Sequence, residues 1–339
     1  MKQQVLVADI GGTNCRFQIW QYDVNAALPA EQAWSCLFKQ RYASVNYARF
    51  DQLLEQVESA SDITCFDAIV IGVAGPVQNQ QVQFTNLHWS LSQAQLQARY
   101  PKALVALLND FTIAAYALDG LTKEQYRPLY QPEKLIASGN KQRLLVGAGT
   151  GLGVALLDDC GANLSVVATE AGHVDFAPLN DFDAQLQAWL MQSWDHVSFE
   201  RLVSGDGLVA IYQFLTQQAC FDPTHGPTAA TVAELAASDD KMAIQAIRLF
   251  WSYYGQFIGN MILCWPAFGG VFIAGGIAPK LLSWIESSAF FTRLYQKGRM
   301  RGIVASCPLN LILTDDLGLL GARNYASYQI QQALKQPTT

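Results

Sequence analysis

Two glycine turns constrain this chain more than any other feature, because strand-like runs flank each of them on both sides. Residues 5–10 read as a strand that ends at Gly11-Gly12-Thr13, and residues 15–22 alternate like a second strand. Residues 144–157 repeat the arrangement around Gly147-Ala148-Gly149-Thr150-Gly151-Leu152-Gly153. Two strands joined by a tight glycine turn make a hairpin and not a βαβ unit. The dinucleotide fingerprint needs a helix after its turn, and Leu152 stands where its third glycine would be. A Walker A sequence is absent as well. The echo between the two turns predicts two halves built on one plan.

The remaining pattern fits that plan. Apolar runs at 68–73, 104–108 and 271–274 read as buried strands, ending at Ala74-Gly75-Pro76, Asn109-Asp110 and Gly275-Gly276. Residues 82–87 alternate weakly, as an edge strand would, and 311–313 read as a late strand. Leu53, Leu54 and Val57 share one face of a helix over 50–59. Further helices are predicted over about 112–118, 184–191, 208–217, 232–237, 241–263 and 319–334. No low-complexity linker separates the halves, so their boundary is expected to be a hinge.

Composition matters because charge is scarce: 15% of residues are charged against 51% hydrophobic. Residues 251–279 carry no charge at all, which is long enough for a membrane span. Gln256, Asn260, Pro266 and several glycines interrupt the stretch, so it reads as a helix, a turn and a buried strand. Net charge is −6 with no basic run, which argues against a nucleic-acid partner. The seven cysteines are scattered, odd in number and never spaced C-x-x-C. Reduced thiols in the cytoplasm fit this better than a disulfide frame or a zinc site. The first residues lack the apolar region of a signal peptide.

The polar groups at the ends of these runs are the candidates for chemistry. Asp9 precedes the first turn, where residues without Cβ let backbone N–H groups approach phosphate oxygens. Asp9 could hold Mg²⁺ through water, since Mg²⁺ keeps much of its hydration; a plain hairpin turn is the alternative. Together the two turns read as jaws on one polyphosphate. Asp110 opens a helix after a buried strand, which suits either an N-cap or a catalytic base. Glu170-Ala171-Gly172-His173 has the Glu-x-x-His spacing of a di-iron helix, but it contains glycine and has no second copy. Hydroxyl recognition suits it better than a metal. Taken alone, Glu200 reads as a solvated helix charge. His88 and His225 lack a partner pattern and read as structural.

Six segments in order carry a resemblance: Asp9-Ile10-Gly11-Gly12-Thr13-Asn14-Cys15-Arg16, Leu108-Asn109-Asp110-Phe111-Thr112, Gly147 to Gly153, Glu170 to Phe176, His196 to Arg201, and Gly269 to Ile277. Together they resemble the bacterial glucokinase family of the hexokinase–actin–Hsp70 superfamily, over nearly the whole chain. Thr169 and Ala171 flank Glu170 where many members carry glycine.

The resemblance implies an α/β, two-lobed actin-like ATPase (ribonuclease H-like) fold. Each lobe would hold a mixed β-sheet with flanking helices, with a cleft between the lobes. It implies a small domain of residues 1–110 plus about 318–339, and a large domain of 111–317. It implies transfer of the ATP γ-phosphoryl group to the 6-hydroxyl of glucose, with ATP and Mg²⁺ as cofactors. By motif position Asp110 matches the catalytic base. Asn86, Asn109, Asp110, Glu170, His173 and Glu200 match sugar ligands. Ala8, Asp9, Ile10, Gly11, Gly12, Thr13, Gly149, Thr150 and Gly151 match the phosphate loops, and Gly275 and Gly276 the glycine pair near the nucleoside. A cytoplasmic homodimer is also implied. The rival readings are a kinase for mannose or fructose, a sugar-sensing regulator without catalysis, and an actin-like ATPase with no sugar acceptor.

Overall fold

A computed structural model describes residues 1–25, 33–75, 77–84, 89–133, 141–159, 164–224 and 226–335. The chain divides into two compact units, residues 1–122 with 315–339, and residues 123–314.

The first unit is built on a five-stranded sheet. Its strands are β1 (Lys2–Ile10), β2 (Asn14–Asp23), β3 (Trp34–Ala43), β4 (Ala68–Val73) and β7 (Leu104–Asn109), in the order β3-β2-β1-β4-β7. The first three pair antiparallel, and β4 and β7 continue in parallel from β1. Helices cover both faces, which is why β1 and β4 are apolar without a break. Leu6, Ala8 and Ile10 pack with α1 (Phe50–Ser61) through Phe50, Leu53, Leu54 and Val57. Val5 and Val7 point the other way, toward Ile113 of α3 (Asp110–Tyr116) and Leu319, Ala322 and Ala326 of α10 (Leu317–Lys335). Residues 111–122, expected in the second domain, therefore belong to this unit's core. Of the weak edge strand expected over 82–87, residues 85–87 lie outside the described residues. Strand β5 (Gln81–Gln83) pairs with β6 (Ser90–Ser92), in a separate ribbon that leads into α2 (Gln93–Arg99).

The second unit repeats the plan with one strand added. Its sheet holds β8 (Tyr126–Tyr130), β9 (Arg143–Ala148), β10 (Leu152–Asp159), β11 (Leu164–Thr169), β12 (Val271–Ala274) and β13 (Leu309–Ile312), in the order β11-β10-β9-β12-β13-β8. Strands β11, β10 and β9 are antiparallel, and β12 and β13 run parallel to β9. Its helices are α4 (Asp181–Leu190), α5 (Gly205–Leu215), α6 (Ala229–Ala237), α7 (Lys241–Cys264), α8 (Phe290–Tyr295) and α9 (Arg301–Ala305).

The charge-free stretch is the second half of α7, a turn and β12. Asp240 caps α7 by accepting from the Ala243 N–H at 2.8 Å. Trp251, Tyr253, Tyr254 and Phe257 of α7 are completely buried. Their polar atoms are satisfied, as buried Trp and Tyr require: Trp251 Nε1 donates to the Leu281 carbonyl and the Tyr254 hydroxyl to the Val146 carbonyl. No described helix is long and apolar enough to cross a membrane.

Candidate active site

In the first unit the strand register gathers the acidic groups at one end of the sheet. Ile10 of β1, Val73 of β4 and Asn109 of β7 lie side by side. Asp9 on β1 and Asn109 at the end of β7 thus sit at the same sheet end, on strands two places apart, and Asp110 follows as the first residue of α3. Between the two strands lies Gly72, and a Cβ there would come within 3.0 Å of Ile113.

Asn109, and not Asp110, is the N-cap of α3. Its Oδ1 accepts from the Phe111 and Thr112 N–H groups at 2.9 and 3.2 Å, and its Nδ2 donates to the Gly75 carbonyl at 3.0 Å. The capping alternative for Asp110 is thereby removed. Its carboxylate accepts the Phe111 N–H at 2.8 Å, and its own N–H and the Asn109 amide also bond it. Burial pushes its pKa up to about 6, the neighbouring Asp9 charge adds to the rise, and the Phe111 N–H opposes it. A carboxylate poised near neutral pH is suited to general-base work.

Asp9 is half-buried and bound by Arg16, its direct cross-strand neighbour in the hairpin. Arg16 also donates to the Asp315 carbonyl at 2.7 Å and to Asp316 at 3.1 Å. The turn itself is fastened from β3's end. The buried Ser44 hydroxyl donates to the Gly11 carbonyl at 2.9 Å, and its N–H to the Thr13 carbonyl at 3.0 Å. Gly12 and Thr13 stand exposed at the tip.

The second unit holds the other glycine loop beside the Glu170 and Glu200 segments. Gly149 N–H donates to the Gly151 carbonyl at 2.8 Å, and Thr150 is exposed at the tip. Gly275, at the end of β12, has φ +91°, and a Cβ there would lie 2.1 Å from the Ala148 carbonyl oxygen. Only glycine permits that approach. Gly276 is exposed with open space around it.

Glu170 and His173 are exposed on a short turn. The Cβ of Ala171 points into the hydrophobic core, and its N–H donates to Thr169 Oγ1 at 3.2 Å. The residues that replace glycine therefore fix this turn without crowding Glu170. Glu200 is not a solvated helix charge. It lies in a single 3-10 turn, Phe199–Arg201, and its Oε2 accepts from the Leu152 N–H at 2.9 Å. His173 Nε2 is 3.9 Å from Glu200 Oε1.

Asn86 falls outside the described residues, as do His88 and His225. Every other expected site residue is at a strand end, a helix start or a turn. In the first unit these are Ala8 to Thr13, Asn109 and Asp110; in the second they are Gly149 to Gly151, Glu170, His173, Glu200, Gly275 and Gly276. Sequence reasoning passed over three supports: Arg16, Ser44 and the Leu152 N–H. The first was within reach, because a hairpin closed at residues 11–14 sets Asp9 opposite Arg16. Among the described residues no three His, Cys, Asp or Glu side chains gather as a metal cage.

Two sheets of one plan, each ending in a glycine turn, are the frame of the two-lobed actin-like ATPase fold, and similarity to known proteins makes the chain a sugar kinase of that fold. The sequence model of the family described as Glucokinase matches residues 6–329. Glucokinases of Nostoc sp. and Tolumonas auensis are 34% and 33% identical, over 94% and 96% of this chain and 97% of each relative. The solved structure of a glucokinase from an Antarctic psychrotroph matches with TM-score 0.83 and 28% identity, covering 96% of this chain and 98% of that one. A glucokinase from Balamuthia mandrillaris in complex with glucose has TM-score 0.75 at 18% identity, covering 96% and 94%, and carries the fold alone. The chain belongs to the glucokinase family.

Proposed function

We propose that Asp110 is the base in the reaction of this family, the ATP-dependent phosphorylation of D-glucose at the 6-hydroxyl. The observation that carries the proposal is a half-buried carboxylate raised to about 6, relieved of capping by Asn109. Asp110 would accept the proton of the 6-hydroxyl as the oxygen attacks the γ-phosphorus. Glu170, Glu200 and Asn109 would bond sugar hydroxyls, and His173 would fix one orientation. Asn86 is proposed as a further sugar ligand on the resemblance alone. A site built on such bonds rejects analogues that lack a hydroxyl, because its buried groups would be left unpaired.

Backbone N–H groups of Gly11 to Thr13 and Gly149 to Gly151 would receive the phosphates, and Gly275 and Gly276 the nucleoside. Mg²⁺ bound with the nucleotide would neutralise charge on the transferring phosphoryl group. Asp9 fits a water-mediated role there, because Arg16 engages one carboxylate oxygen and leaves the other to a water ligand. A homodimer in the cytoplasm is also proposed, the first on the family resemblance and the second on the cysteine pattern; sedimentation tests the dimer.

The experiment that tests the function is ADP release with ATP and Mg²⁺ across glucose, mannose, fructose and 2-deoxyglucose. Glucose should give the largest kcat/KM. A larger value for mannose or fructose would move the assignment to another hexose, and ADP release without sugar would make the chain an ATPase.

A further inference from the structure

We propose that Glu200 is a two-way link: the carboxylate that binds sugar also holds the phosphate loop, so sugar and nucleotide each favour the other's binding. The proposal rests on the assignment of Glu200 to the sugar and of residues 149–151 to the nucleotide phosphates.

The geometry is that of a bracket. The Gly205 N–H donates to the Gly149 carbonyl at 2.9 Å, at the start of the loop. Glu200 Oε2 accepts the Leu152 N–H at 2.9 Å, at its end. Both ties come from one short segment, which is stiffened in turn. The Ser204 hydroxyl donates to the Glu200 carbonyl at 2.7 Å, and Ser204 caps α5 by accepting from the Gly207 N–H at 3.0 Å. On the sugar side, Glu200 Oε1 lies 3.9 Å from His173 Nε2. Leu152 also meets the Glu170–His173 turn: a Cβ on Gly172 would lie 2.0 Å from the Leu152 carbonyl oxygen. The N–H of Leu152 is therefore bound by one sugar-side residue while its carbonyl is packed by another.

Glycine loops are free to adopt many conformations, and a phosphate cradle works only when its N–H groups are already aimed. A carboxylate accepting a backbone N–H makes a charge-assisted bond, stronger than a neutral one. Held at both ends, the loop has less freedom to lose when phosphate arrives. Sugar hydroxyls bonded to Glu200 would restrict its rotamers and keep Oε2 on Leu152. Such a coupling is necessarily reciprocal. The reciprocal handle is Gly151, where a Cβ would lie 2.6 Å from Glu200 Oε2 and push the carboxylate aside.

Calorimetric titrations of the full chain test the link, with Mg-ADP binding measured without sugar and glucose binding measured without nucleotide. Thermal melts establish that each variant is folded. E200A should weaken sugar-free Mg-ADP binding by about fivefold or more, the low end of typical coupling. E200Q, which keeps an oxygen acceptor, should recover most of that loss. H173A should weaken glucose binding alone. G151A, which removes no sugar ligand and reaches the sugar only by displacing the Glu200 carboxylate, should weaken nucleotide-free glucose binding by about fivefold. If E200A lowers glucose affinity but leaves sugar-free Mg-ADP affinity within about twofold, the sugar assignment stands and the link is overturned. If E200A changes neither affinity, the sugar assignment falls with the link. Should E200A fail to fold, G151A decides: unchanged glucose affinity overturns the link.

Discussion

The two glycine turns share a strand–turn–strand plan yet are fastened in different ways. In the first unit, Gly11–Thr13 is tied by Ser44, and Asp9 beside it by Arg16. These supports belong to the same three-stranded edge of the sheet, or in the case of Ser44 directly follow it. In the second unit, Gly149–Gly151 is tied by Gly205 and Glu200, which lie far from the loop in sequence. One turn is held by the end of the neighbouring strand pair in its own sheet, and the other by the segment proposed to read the sugar. The first arrangement fixes charge near the base. The second makes the loop's order depend on neighbouring ligand residues. A similar contrast appears in how each unit treats buried charge. Asp110 of the first unit is raised by burial beside Asp9. Asp183 of the second is fully buried and neutralised by Arg293, which donates to it at 2.7 and 2.9 Å.

The largest expected effect is on the base. D110N should lower kcat by about 10²–10⁴-fold while glucose affinity stays within a few-fold. ADP-release kinetics with a parallel glucose titration check this, and a loss below about tenfold would remove Asp110 from the role. Next is the buried pair. D183N leaves Arg293 buried without its counter-charge and should cost about 3–5 kcal/mol of stability, read by urea unfolding. A loss under about 1 kcal/mol would mean that water or Gln256, which also accepts from Arg293 at 2.9 Å, compensates.

The pH profile follows in size. A base works deprotonated, and Asp110 titrates about 6, so kcat/KM for glucose should fall by about tenfold per pH unit below that value and level off above it. A flat profile down to pH 4.5 would show that the proton is accepted elsewhere. The smallest effect belongs to the first turn's support. S44A removes the hydroxyl that bonds the Gly11 carbonyl. One such bond contributes about 1 kcal/mol, so the KM for ATP should rise about fivefold, with the KM for glucose unchanged. An equal rise in both would erase the contrast between the two turns.

Local pattern made much of this legible. The buried strands over 68–73 and 271–274 appear because parallel strands covered on both faces read as unbroken apolar runs, whereas the strand over 104–109 is an edge strand and only partly buried. Strand β3 did not stand out. Its register shifts opposite Ile19 and Trp20, where Phe38 and Cys36 pair and Leu37 is the extra residue, so the alternation that marks a strand is broken. Asp110 and Asn109 were both visible as helix-start residues, but the choice of cap depends on one residue of backbone geometry. The reading of Glu200 failed for a different reason. Nothing near it in sequence could show that the amide it binds belongs to Leu152.

By itself the sequence determined the two-part plan, the glycine turns and the set of polar residues placed at strand ends. Those follow from short-range rules: period two for strands, steric freedom at glycine, and apolar runs where both faces are covered. Tertiary structure decided that Asn109 is the cap and Asp110 the carboxylate poised near neutral pH, and which backbone amide Glu200 holds. Desolvation and hydrogen bonding act over a few ångströms in space, and the residues they join here lie up to 300 positions apart in the chain.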